Sequence, residues 1–209
     1  MKKLLSLLFV TVPAVLLVSF NVPFLGIISA TLFALLISIP TVGLTGLGFK
    51  RPSNGILITI AVAAGMAAIV QLSSYYLFLP GIEMLTRQPL DPGPFKGFEG
   101  NLTVFLFNLM LGWLIGGFAE EILFRGFMIS HLTKLVRGRA GEIVAVLATA
   151  ALFGYLHSYQ GITGQILTGI LGLILGMFYI LNKRNLWLNV FLHGTINTIS
   201  FTLIYLGWL

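Results

Sequence analysis

Six polar side chains lie inside apolar stretches of this sequence, where a membrane-spanning helix rarely contains such groups. They are two glutamates, an arginine, two histidines and an asparagine: Glu120, Glu121, Arg125, His157, His193 and Asn197. Ionisable groups within a membrane span are energetically costly, and they normally face a bundle interior or a water-filled cavity. We therefore expect these side chains to meet at one buried polar site.

The spacing of the charges in GGFAEEILFRGF, residues 116–127, predicts different roles for the two glutamates. Glu121 and Arg125 are four residues apart, so on a helix they share a face and can form an ion pair. Glu120 lies roughly 140° around the helix from Arg125 and stays free to point elsewhere. We predict that Glu120 is the general base that takes a proton from water, and that Glu121 is its ion-paired neighbour.

Two further pairs of residues have the same helical spacing. His193 and Asn197 share one face, from which an imidazole and an amide can donate hydrogen bonds to a developing oxyanion. Phe153 lies one turn before His157, so its ring can pack under the imidazole and fix its rotamer. His157 could then hold the attacking water together with Glu120.

Zinc is an alternative means of activating the water. Glu120, His157 and His193 would supply two histidines and a carboxylate with an open position, as catalytic zinc sites do. Against zinc, the sequence has no H-E-x-x-H motif, and these ligands come from three different spans. A glutamate–histidine pair can activate water without a Lewis acid. The sequence leaves zinc open and establishes no cofactor.

Glycines at helical spacing predict close packing beside this site. Gly112, Gly116 and Glu120 repeat every four residues, which indicates a groove for the close approach of another helix or of an extended substrate. Gly169, Gly172 and Gly176 are expected to be helix-packing positions.

The composition predicts the elements that must position these residues. Of the 209 residues, 57% are hydrophobic and only 9% are charged, whereas a typical soluble domain is about a quarter charged. This excludes an ordinary soluble domain and indicates an integral membrane protein. Because the chain has no cysteine, disulfides and thiolate metal sites are also excluded.

Seven apolar stretches approach the roughly 20 residues that a spanning helix needs. They are residues 3–21, 24–46, 55–80, 102–127, 141–159, 162–182 and 186–207. We predict an all-α, polytopic transmembrane helix bundle of about seven spans, whose first span is retained because no small-residue cleavage site follows it. Residues 1–100 would form N-terminal transmembrane helices with a periplasmic or extracellular loop at 81–100, and residues 101–209 the catalytic core.

The basic residues predict the orientation. Only Arg87 and Lys96 fall in loops on one side of the seven-span scheme. Loops on the other side carry Lys2, Lys3, Lys50, Arg51, Lys134, Arg137, Arg139, Lys183 and Arg184. The positive-inside rule therefore places the N-terminus in the cytoplasm. The net charge of +6 is explained by topology, so we expect membrane lipid and a peptide or protein substrate as partners, and no nucleic acid.

A family resemblance rests on three motifs that occur in order between about residues 100 and 205. They are Glu120-Glu121-x-x-x-Arg125, Phe153-x-x-x-His157 and His193-x-x-x-Asn197. Together they resemble the signature of the CPBP family, which comprises the type II CAAX prenyl endopeptidases and their bacterial relatives, the Abi proteins. The resemblance implies an intramembrane endopeptidase in which the first glutamate and the second-motif histidine activate water, while the third motif supports the oxyanion. The family is described both as metalloproteases and as glutamate-dependent proteases without metal, and the chain length suits a bacterial member.

We favour an endopeptidase of the bacterial cytoplasmic membrane that hydrolyses a leader peptide, a pheromone precursor or a bacteriocin-like peptide. The predicted catalytic residues are Glu120, Glu121, His157, His193 and Asn197, supported by Arg125 and Phe153. One alternative is a non-proteolytic protein, such as a bacteriocin self-immunity factor or a regulatory scaffold, in which the polar cluster is structural. The other is a transporter with a proton relay, although no inverted repeat or pair of broken helices is visible.

Overall fold

The structure is a computed structural model that describes residues 2–20, 23–136 and 138–208. Within these residues the chain forms helices joined by turns and loops, with no strand, which confirms the all-α prediction. In chain order the helices are α1 (Lys2–Ser19), α2 (Pro23–Leu47), α3 (Ile56–Ser73), α4 (Leu79–Thr86), α5 (Leu102–Leu111), α6 (Ser130–Leu135), α7 (Gly138–Leu156), α8 (Gly161–Leu181) and α9 (Leu186–Tyr205).

Two stretches of π-helix join neighbouring helices into longer rods. Ser74–Phe78 connects α3 to α4, and Gly112–Ile129, called the π-helical segment below, connects α5 to α6. Short 3-10 helices lie at Gly93–Phe98 and Ser158–Gln160. The described residues therefore form seven continuous helical rods, one for each apolar stretch of the sequence.

Five of these rods are long and apolar enough to cross a membrane. They are Phe24–Leu47, Ile56–Thr86, Leu102–Leu135, Gly138–Leu156 and Ser158–Leu181. In α1 the apolar part, Lys3–Ser19, is shorter. Among the described residues α9 does not reach the same apolarity, which we attribute to the asparagines, threonines and histidine in its middle. A polytopic bundle is confirmed, with seven rods but five spans by length and composition alone.

Exposed apolar side chains cover the outside of the bundle. Leu36 of α2 is 73% exposed and Leu57 of α3 is 77% exposed. In water such surfaces would be unfavourable, whereas in a bilayer they face acyl chains. The interior contains one apolar core between α1, α2 and the π-helical segment and another between α3, α8 and α9.

Glycines bring α7 and α8 into close contact. A Cβ atom added to Gly154 would lie 2.9 Å from the Cα of Gly169, and one added to Gly176 would lie 2.9 Å from a methyl carbon of Val146. A Cβ atom at Gly172 would lie 3.2 Å from the ring of Phe153. This confirms that the α8 glycines are packing positions. The contact also fixes the position of the end of α7, and therefore of Phe153, relative to α8.

We predict that Gly154→Ala lowers the stability of the protein by about 1–3 kcal/mol, because the added methyl group would overlap backbone atoms of α8. The measurement is the unfolding midpoint of the purified protein in detergent. Gly65→Ala in α3 is the matched control, since a Cβ atom there meets nothing within 4 Å. Equal midpoints for the two variants would contradict the close α7–α8 contact.

Candidate active site

Three of the helical rods place the side chains that could take part in a reaction around one cavity. The π-helical segment provides Glu120, the end of α7 provides Phe153 and His157, and α9 provides His193 and Asn197. These side chains line a single cavity of about 360 Å³. The convergence expected from the sequence is therefore present in the structure.

The carboxylate of Glu121 is fully buried and accepts hydrogen bonds from three side chains. Arg125 Nη1 lies 2.8 Å from Oε1, and His193 Nδ1 lies 2.8 Å from the same oxygen. Asn189 Nδ2 donates to Oε2 at 3.2 Å. A buried charge is tolerated only when it is paired and hydrogen-bonded. The predicted Glu121–Arg125 ion pair is thus present, and it belongs to a larger cluster.

Arg125 connects this cluster to α8. Its Nη2 donates to the carbonyl of Gly172 at 3.1 Å, and its side chain is almost completely buried. The guanidinium carbon lies 5.1 Å from the ring centre of Phe153 and 5.9 Å from that of Phe124. Two aromatic faces and two acceptors stabilise the buried cation.

The bond to Glu121 fixes the orientation of the His193 ring. Because Nδ1 faces a carboxylate, this nitrogen carries a proton, and Nε2 is directed toward the cavity. There it lies 3.8 Å from Glu120 Oε2. That distance is too long for a direct hydrogen bond. One water molecule can lie within hydrogen-bonding distance of both atoms.

His157 is oriented by the backbone rather than by a second side chain. Its Nδ1 lies 2.8 Å from the carbonyl oxygen of Phe153, which can only accept, so Nδ1 carries the proton and Nε2 is an acceptor. The rings of Phe153 and His157 lie 4.6 Å apart, as the spacing predicted. The sequence placed His157 inside a span over residues 141–159. In the structure α7 ends at Leu156, and His157 occupies the following turn.

Asn197 of α9 is hydrogen-bonded to the glycine groove of the π-helical segment, which contains Gly112 and Gly116. Its Nδ2 donates to the carbonyl of Gly112 at 3.0 Å, which leaves its second N–H available. A Cβ atom at Gly116 would collide with Asn197 Nδ2, and one at Gly112 would lie 2.8 Å from the ring of Phe201. The glycine groove is therefore occupied mainly by α9. Of the two uses expected from the sequence, it serves the close approach of another helix and not of an extended substrate.

The sequence interpretation missed Asn189, which is fully buried and lies one turn before His193. It bridges Glu121 and the carbonyl of Leu175, to which its Nδ2 donates at 2.8 Å. The signal was available, since Asn189, His193 and Asn197 form a polar stripe at intervals of four residues. Such a stripe marks one face of α9 as facing polar partners.

The far wall of the cavity comes from the N-terminal half of the chain, and this wall was also missed. Gln71 Nε2 donates to Ser200 Oγ at 2.6 Å, and Tyr75 lies within hydrogen-bonding distance of both side chains. The loop after α4 adds Leu90 and Phe95 to the lining. Neither the hydrogen-bonded group around Gln71 nor the two loop residues could be assigned from spacing, because they reach the site only through helix–helix packing.

The proposed zinc ligands do not form a metal-binding group as their side chains stand. Across residues 2–20, 23–136 and 138–208, no three His, Asp or Glu side chains are arranged to hold one ion. His193 Nδ1 is already bonded to Glu121, and His157 Nδ1 to a carbonyl oxygen. These bonds occupy only the Nδ1 atoms, and metal-ligating histidines usually make such second-shell bonds, so zinc at Glu120, His157 and His193 stays a prediction from the sequence.

Comparison with known proteins gives one family match. Residues 101–199 match the family model described as type II CAAX prenyl endopeptidase Rce1-like. This region contains all three motifs and agrees with the resemblance found in the sequence. No curated protein and no solved structure matches the chain significantly. The far wall contributed by Gln71 and the loop after α4 lies outside the matched region.

We predict that Glu121→Gln destabilises the protein by about 3–5 kcal/mol, because Arg125 would keep its buried charge without a counterion. The measurement is the free energy of unfolding in mixed detergent micelles. Glu142→Gln is the matched control, because its pair with Arg184 is partly exposed and should contribute less than about 1 kcal/mol. Similar losses for both variants would contradict the dominance of the buried cluster.

Proposed function

We propose that this chain, whose residues 101–199 match the family model of Rce1-like type II CAAX prenyl endopeptidases, cleaves a peptide bond within the membrane by direct attack of water. No serine or cysteine nucleophile is invoked. The family match supports endopeptidase activity in general.

The observation that carries the proposal is the carboxylate of Glu120, which no protein group holds by a direct hydrogen bond in the described part of the chain. Its side chain is only 11% exposed. It lines the same cavity as His157 and His193. A nearly buried carboxylate that faces a polar cavity, with only the 3.8 Å contact to His193 Nε2, is well placed to bind and deprotonate water.

The reaction follows from the arrangement of acceptors and donors. In the proposed reaction a water molecule is held between Glu120 and Nε2 of His157, two acceptors whose side chains line the same cavity. Glu120 takes one proton as the water oxygen attacks the substrate carbonyl carbon. The tetrahedral intermediate then collapses, the C–N bond breaks, and the proton on Glu120 passes to the leaving nitrogen. The products are an amine and a carboxylic acid, which becomes a carboxylate when the second proton of the water passes to Nε2 of His157.

His193 and Asn197 would stabilise the oxyanion of the intermediate. Asn197 has a second N–H that its bond to Gly112 does not use. His193 donates from Nε2 when its ring carries a second proton, and the bond from Nδ1 to Glu121 holds the ring in position for this. Glu121 is in this scheme a positioning residue that acts through His193.

The location of the cavity supports an assignment of sidedness. His157 follows the end of α7, whose first turn contains the basic residue Arg139, so the site lies toward the side opposite the basic loops. With the N-terminus in the cytoplasm of a bacterial cell, the cavity opens toward the outer half of the membrane. We propose a leader peptide or a pheromone precursor as the substrate, because such peptides cross or enter that half.

We predict that Glu120→Gln lowers the cleavage rate by about 10²- to 10⁴-fold, because the general base is lost while the side-chain shape is retained. The purified protein in liposomes is incubated with a peptide library prepared from bacterial membranes, and new termini are quantified by mass spectrometry. Glu99→Gln is the control, since Glu99 is an exposed carboxylate that does not line the cavity.

The Glu120→Gln variant should unfold no more readily than the wild type, because within the described residues this carboxylate has no hydrogen bond to lose. Cleavage at the wild-type rate by the folded variant would remove Glu120 as the base. If the wild-type protein released no new termini from the peptide library but protected cells against a bacteriocin, the non-proteolytic alternative would be favoured.

A further inference from the structure

Two loops at the other end of the bundle are joined to each other by hydrogen bonds. One connects α2 to α3 and the other connects α8 to α9. Lys50 Nζ donates to the carbonyl of Lys183 at 3.2 Å, Asn185 Nδ2 donates to the carbonyl of Lys50 at 3.0 Å, and Leu186 N donates to the carbonyl of Gly48 at 2.8 Å. These contacts hold open a second pocket, with a volume of about 300 Å³.

The polar rim of this pocket is positively charged. Lys50, Arg51 and Lys183 line it, and its lining contains no carboxylate. Within the described residues no ion pair involves these three cations, whereas the neighbouring Arg184 pairs with Glu142 at 2.9 Å. The rim therefore presents three uncompensated positive charges to whatever occupies the pocket.

The N-terminus of α3 lies beside the same rim, since Ile58 and Thr59 of its first turn line the pocket. Its N-cap residue is Gly55, and no side chain caps the first turn. The first amide groups of a helix lack partners within the helix and carry the positive end of its dipole. Ser53 and Asn54, just before the helix, also line the pocket and can donate hydrogen bonds. Together with the three cations, these groups favour an anion with several oxygen acceptors.

The lower wall of the pocket is apolar. It consists of Ile58, Val62 and Leu188, of which Ile58 is 55% and Val62 48% exposed. Three candidate membrane spans begin or end beside the two loops, so the rim lies at the membrane surface and the apolar wall descends into the acyl region. A soluble phosphate would use only the rim, whereas a phospholipid would occupy both parts.

We propose that this pocket binds an anionic phospholipid, with the phosphate at the cationic rim and an acyl chain along α3. A lipid with a net negative charge is favoured over a zwitterionic one, because the ammonium group of the latter would face the same three cations. The site is separate from the catalytic cavity, so it stands whether or not the protein proves to be a peptidase.

The test is lipid binding to the purified full-length protein in detergent, followed by native mass spectrometry. Short-chain phosphatidylglycerol should bind roughly tenfold or more tightly than phosphatidylcholine of the same chain length. The triple variant Lys50→Gln, Arg51→Gln, Lys183→Gln should lose roughly tenfold or more of the affinity for phosphatidylglycerol, since each cation near the surface contributes severalfold.

A matched variant separates the pocket from general surface charge. Lys3→Gln, Lys134→Gln, Arg139→Gln removes the same charge from the same side of the predicted topology, but none of these residues lines the pocket. It should change the affinity for phosphatidylglycerol less than about twofold. Equal losses for the two triple variants would overturn the proposal.

Glycerol 3-phosphate serves as the probe for a soluble ligand. It should bind far more weakly than phosphatidylglycerol, because it lacks the acyl chains that contact Ile58 and Val62. If glycerol 3-phosphate bound as tightly as the lipid, the assignment to a phospholipid would be wrong. Retained lipid selectivity in the pocket variant would overturn it as well.

Discussion

The buried carboxylate of Glu121 is the interaction on which the rest of the site depends. It accepts hydrogen bonds from Arg125 on its own segment and from Asn189 and His193 on α9. Arg125 and Asn189 in turn donate to backbone carbonyls of α8. In hydrocarbon an unpaired charge would be strongly disfavoured, so these donors must remain in place. One carboxylate therefore determines how three helical elements pack around the cavity.

The different roles of Glu120 and Glu121 explain why two adjacent glutamates occur in the middle of a membrane span. Glu121 takes the available donors, and Glu120 is left without a hydrogen bond among the described residues. The two histidine rings are held through Nδ1, one by Glu121 and the other by the carbonyl of Phe153, so each can direct Nε2 toward the cavity. Preorganised groups of this kind need no reorganisation when charge develops in a reaction.

Local spacing predicted the parts of this arrangement that lie on one helix. The Glu121–Arg125 pair and the Phe153–His157 contact both follow from i, i+4 geometry, and both are present. Contacts between helices were beyond reach, because they depend on how far each rod is shifted along its neighbour. For this reason the bond from Asn189 to Glu121 and the far cavity wall emerged only from the structure. The end of α7 before His157 was missed because the apolar stretch continues past it.

The most direct measurement of the central claim is nitrogen-15 NMR of protein labelled at its three histidines. The account predicts that Nδ1 carries the proton in both His157 and His193, because each Nδ1 faces an oxygen acceptor that is fixed by the fold. His131 supplies the reference signal outside the cavity. A proton-free Nδ1 on either His157 or His193 would mean that the rings are not aimed as described, and would contradict the account.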